Sequence, residues 1–62
     1  MTNPAAHALR AIEAAQWLRW LAQCELDAGR AWRSAVCESA ATAVLAVVDA
    51  FAVEALNAPE EE

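Results

Sequence analysis

The sequence predicts an all-α fold: an antiparallel helical hairpin that dimerises into a four-helix bundle. Three observations lead there. Eighteen of the 62 residues are alanine, and only one glycine and two prolines interrupt the chain, so helix propensity is high almost throughout. The one internal turn signal, Asp27-Ala28-Gly29, divides the chain into two segments of nearly equal length. Finally, a chain below about 70 to 80 residues rarely stabilises itself with a single core, and a core rich in alanine buries little area per residue. Association supplies the missing burial.

Each element has a local cause. Asn3 or Thr2 can cap free backbone N–H groups, and Pro4 suits the first helical position, where a missing donor costs nothing. Helix 1 is predicted over about residues 4–27, and the turn over about 27–30, with Gly29 free to take the left-handed conformation that ends helices. Helix 2 is predicted over about 30–56, and residues 57–62 form an acidic tail begun by Asn57-Ala58-Pro59. The five valines, all in the second half, show no period-2 alternation, so no strand is expected. The rival arrangement is one uninterrupted helix of more than 50 residues, because a single glycine costs only about 1 kcal/mol inside a helix.

Helix 1 carries two apolar stripes. Trp17, Trp20, Leu21 and Cys24 recur at i, i+3, i+4 and i+7, while Ala8, Ala11, Ala15, Leu18 and Ala22 form a second stripe on another side. On helix 2, Cys37, Ala40, Val44, Val47, Phe51 and Ala55 follow a comparable rhythm, flanked by Val36 and Val48. The predicted hairpin or dimer core is therefore Ala11, Ala15, Leu18 and Ala22 against Cys37, Ala40, Val44, Val47 and Phe51. Small residues on helix 1 would let the axes approach near the short end of the usual range of about 8–10 Å. A two-helix layer covers only its inner side, and a second copy of the hairpin is the simplest cover for the rest.

The net charge of −5 is unevenly spread: residues 1–33 hold four arginines and three acids, while residues 34–62 hold six acids and no base. That distribution argues against free nucleic acid as a partner. It favours folding back, or pairing with another chain, with Arg19 facing Glu38 and Arg10 near Asp49. Lysine and tyrosine are absent and alanine, arginine and valine abundant, a composition expected of a high-GC bacterium or its phage. Met1 to His7 has neither the charged nor the apolar segment of a secretory leader, and the longest charge-free run of the second half, Ser39–Val48, is about half a membrane span. A soluble, cytoplasmic protein with no membrane association is expected.

The residues that could carry a function are few. Trp17, Trp20 and Trp32 can each bury about 150–250 Å², and tryptophan is enriched at binding hot spots. Arg30 and Arg33 flank Trp32, a combination suited to carboxylates or phosphates. The predicted partner-binding set is accordingly Trp17, Trp20, Leu21, Arg30, Trp32 and Arg33. Cys24 and Cys37 lack the spacing of a redox or metal pair and are expected to be reduced thiols. His7 has no Glu or Cys three or four residues away, and no Ser/His/Asp set can be assembled, so neither metal, cofactor nor catalysis is expected.

Glu25-Leu26-Asp27-Ala28 followed by Cys37-Glu38-Ser39 resembles the loop and early second helix of the plasmid-encoded ROP hairpins, with a spacer two residues longer here. The resemblance implies a dimeric four-helix bundle. The RNA activity of that family depends on lysine and polar residues of its first helix, and Glu13, Trp17 and Trp20 stand on that helix here. At the level of class alone, the short acidic lysine-free hairpin is similar to small phage-encoded inhibitors, such as the quorum-sensing anti-activators that bind LuxR-type receptors and block pilus-assembly ATPases. The functional expectation is thus a non-enzymatic protein–protein interaction module: a homodimeric inhibitor that sequesters a larger bacterial protein such as a transcriptional regulator. The alternatives are an RNA-binding hairpin dimer of the ROP kind and a structural assembly subunit.

Overall fold

The computed structural model describes residues 3–57. Two helices, α1 (Pro4–Asp27) and α2 (Ala31–Asn57), pack against each other as a helical hairpin. Residues 1–2 and 58–62 lie outside the described residues, and with them the alternative cap Thr2 and nearly all of the expected acidic tail.

Both ends of α1 are set by local chemistry. Asn3 is the N-cap, its side-chain oxygen accepting from the amides of Ala5 (3.1 Å) and Ala6 (3.3 Å), and Pro4 opens the first turn. At the other end Gly29 adopts φ +82°, the left-handed region. Its N–H donates to the Leu26 carbonyl (3.0 Å), and the Arg30 N–H donates to the Glu25 carbonyl (2.8 Å). These two bonds form a Schellman cap, which satisfies carbonyls that α1 would otherwise leave free. The Ser34 N–H then donates to the Arg30 carbonyl (3.1 Å), so Arg30 is where α2 begins. The connection is therefore only Ala28, Gly29 and Arg30, short enough to force antiparallel packing.

The seam of α1 is the alanine stripe. Ala15 and Ala22 are buried, Ala8, Ala11 and Leu18 are half-buried, and the stripe's next step is Glu25, which is also buried. On α2 the buried or half-buried positions are Ser34, Cys37, Ala41, Val44 and Val48, with Ala40 and Leu45 half-buried beside them. Within the single hairpin this corrects the predicted seam of α2. Both lines share Cys37 and Val44, but Ala41 takes the central place assigned to Ala40, and Val48 the place assigned to Val47, which is 52% exposed. Phe51 keeps a seam position by spacing yet is 65% exposed; the residues across the groove from it are mostly small, Pro4, Ala5 and Ala8, with His7 at the rim. The physical reason is steric. Two helices facing each other through alanines come closest when the smallest residues of both, Ala15, Ala22 and Ala41, lie on the line of contact.

Within the hairpin the expected cross-helix ion pairs do not form. Arg10, Arg19, Glu38 and Asp49 all sit on exposed positions, and among the described residues the salt bridges are those of Glu25 with Arg30 and Arg33. No large side chain is fully buried in the hairpin. A folded globular chain of 6.6 kDa would expose about 3,900 Å², whereas this one exposes 5073 Å².

Candidate interaction surface

At the turn end, the Schellman cap brings the buried Glu25 under the start of α2. The Arg30 guanidinium grips its carboxylate with two parallel bonds, Nε to Oε2 at 2.8 Å and Nη2 to Oε1 at 2.7 Å. Arg33 adds a looser contact at 3.7 Å and holds its guanidinium 5.6 Å from the centre of the Trp32 ring. The Arg30 hydrogen bonds hold the Glu25 carboxyl below its ordinary range. Its partial burial opposes that shift, and the positive charges of Arg30 and Arg33 reinforce it. The same pairing raises Arg30 above its own ordinary value. Leu21, Val36 and Cys37 join Glu25, Trp32 and Arg33 around a shallow open depression of about 320 Å³.

Glu25 was not among the predicted site residues. Its signal was present in the spacing, since residues 8, 11, 15, 18, 22 and 25 continue one stripe in steps of three and four. An acid at that position beside an arginine-rich turn points to an internal ion pair. Of the predicted partner-binding residues, Arg30 is thus committed within the chain, while Arg33 remains half-exposed over Trp32.

The tryptophans point outward. Trp17, Trp20 and Trp32 are 56%, 60% and 69% exposed, and Leu21 is half-buried at the edge of the seam. Taking the seam of α1 as the inward direction, Leu21 flanks it, Trp17 lies one step further out on the same side, and Trp20 lies diametrically opposite the seam. Trp32 has the corresponding outermost place on α2. Trp17 and Leu21 therefore share a flat face of the layer, Trp20 stands on the outer edge of α1, and Trp32 on the outer edge of α2 also borders the depression beside Leu21 and Val36.

At the open end, Pro4, Ala8 and Ala11 of α1 and Val48, Phe51 and Ala55 of α2 line an apolar groove of about 580 Å³ with His7 on its rim. The size falls within the usual range of small-molecule sites, about 300–1,000 Å³, but the polar groups that orient a ligand are few. Cys24 and Cys37 are free thiols, each half-buried. Among the described residues no group of three His, Cys, Asp or Glu side chains could hold a metal ion. By length and composition alone, α2 is apolar enough to cross a membrane. Comparison with protein families, with curated proteins and with solved structures gives no match.

Proposed function

We propose that the chain is a non-enzymatic interaction protein, a homodimer of hairpins forming a four-helix bundle that binds and sequesters a larger bacterial protein such as a transcriptional regulator. The observation that carries this reading is the exposure of all three tryptophans on a hairpin whose own seam is built from alanine. Large aromatics held on rigid helices with nothing packed over them are what a binding surface requires. Inhibition would be by occupancy, with the rings of Trp20 and Trp32 covering a functional face of the target and the acid-rich second half favouring a basic one.

Two further features support a soluble interaction role. Arg33, Glu38, Asp49 and Glu54 recur along α2, which makes helix–helix burial a better use of its apolar positions than a bilayer. RNA binding has less to stand on, because Arg30 is engaged by Glu25 and six acids with no base occupy residues 34–62. A cytoplasmic location follows from the same reading.

The test is affinity capture from host lysate with the immobilised wild-type chain and the Trp20→Ala/Trp32→Ala variant. One protein retained in stoichiometric amount by the wild type, and lost with the variant while helicity is unchanged, is the expected result. Equal retention by both, or none by either, overturns the proposal.

A further inference from the structure

The hairpin is one layer thick, and its two flat faces differ in chemistry. In heptad terms, with the seam at the first and fourth positions, the side of Leu21 carries Ala14, Trp17, Leu21 and Cys24 on α1 and Val36, Ala40, Ala43 and Val47 on α2. The common side of Leu21 and Val36 is visible directly, since both line the same depression. The centre of this face holds no charge, and Arg10, Arg33 and Glu54 lie only at its ends. The opposite face presents Gln16, Arg19, Gln23, Glu38, Thr42 and Asp49 across its middle; its exposed leucines Leu9 and Leu26 lie toward its two ends, and its central apolar residues Ile12 and Leu45 are already half-buried at the seam.

We propose that the Trp17 face is closed by a second copy of this chain, leaving Trp20 outside the dimer and Trp32 at the border of the interface. This rests on the dimeric reading above and adds which face is used and how. The area requirement matches. The chain exposes on the order of 1,000 Å² more than a globular protein of its mass, given its 5073 Å². Obligate dimers bury about 2,000 Å² or more in total, roughly 1,000 Å² from each copy.

The relief matches as well. A two-fold axis lying in the face and perpendicular to the helices stacks α1 on α1 and α2 on α2, with the turns at opposite ends. Counting from the helix midpoints, that arrangement sets Trp17 over Ala14 of the second copy, a bulky residue against a small one. On α2 the same count brings Arg33 within one residue of the second copy's Glu54, so the charges at the ends of the face come near each other across the interface. Ala43 falls beside the two-fold axis, close to its own counterpart.

The neighbouring residues Ala43 and Thr42 belong to opposite faces and are both exposed in the hairpin, so they give a matched test. Analytical ultracentrifugation of the wild type should give twice the 6.6 kDa chain mass. Ala43→Glu, which sets two unpaired carboxylates together at the centre of the interface, should weaken dimerisation by roughly 100-fold or more. Thr42→Glu should leave it intact. A second measurement does not depend on a disruptive variant: acrylamide quenching of a chain with Trp17 as its sole tryptophan (Trp20→Phe/Trp32→Phe) should show a protected ring, and a chain keeping only Trp20 an accessible one. A monomeric wild type overturns both the dimer and its face. A dimer that survives Ala43→Glu, or in which Trp17 is quenched as readily as Trp20, overturns the assignment of the face while leaving the dimer standing.

Discussion

Replacing Gly29 by alanine tests the turn through the sign of its effect. In the hairpin Gly29 sits at φ +82°, and a Cβ built on it meets nothing within 4 Å, so the whole cost of Gly29→Ala is conformational. An L-residue other than Gly, Asn or Asp held in the left-handed region costs about 1–2 kcal/mol. The two Schellman bonds, from the amides of Gly29 and Arg30, would remain available to alanine but only in that strained conformation. A single continuous helix predicts the reverse. There position 29 would be helical, and alanine would stabilise it by about 1 kcal/mol. Denaturation followed by circular dichroism at fixed chain concentration measures the difference, and at roughly 4–8 °C per kcal/mol for a domain of this size the midpoint should fall by several degrees. Gly29→Asn, which tolerates the left-handed region, should lose less. A rise in the midpoint for Gly29→Ala would refute the hairpin turn.

The remaining predictions concern the seam and the ion pair beneath the turn. Ala41→Leu places a bulky side chain at a wholly buried position on the line of contact and should cost about 1–3 kcal/mol, whereas Ala46→Leu, on the exposed side of α2, should be near neutral. Equal effects in denaturant titrations would show that the seam lies elsewhere. Glu25 has a lowered pKa in the folded chain, so the folded state binds fewer protons there than the unfolded state does. Its contribution to stability is complete above the ordinary carboxylate range and is lost as pH falls through that range toward the lower folded value. Glu25→Gln should therefore flatten the acid side of the stability profile, and a wild-type profile already flat there would contradict the pairing with Arg30.

The structure bears on these readings unequally. Asn3-Pro4 and Gly29 each act through their nearest neighbours, by a side-chain cap, a fixed φ and a permissive one, and such signals can be read without knowing the fold. The alanine stripe of α1 was equally legible, because no other set of residues on that helix is both small and regularly spaced. The line of contact on α2 was not. Two lines of three-and-four spacing pass through Cys37 and Val44, one carrying Ala40, Val47 and Phe51 and the other Ser34, Ala41 and Val48. Hydrophobicity favours the first, which is the bulkier, while close approach to an alanine surface favours the second.

The same distinction separates the two sets of arginine pairs. Opposite charges in the two halves suggested Arg10 with Asp49 and Arg19 with Glu38, but no salt bridge joins them across the width of two helices. Glu25 and Arg30 are only five residues apart, and the Schellman turn folds one over the other within hydrogen-bond reach. By itself, then, the sequence determined helix almost throughout, the cap that opens α1, Gly29 as the one internal turn signal and an excess of apolar surface. Those properties depend on local dihedral preferences and on composition. The tertiary structure alone decided which stripe of α2 faces inward, that Glu25 and Arg30 lock the turn, and that the tryptophans stay outside. Those outcomes depend on which side chains let two helix axes approach most closely, a property of the pair that neither helix carries separately.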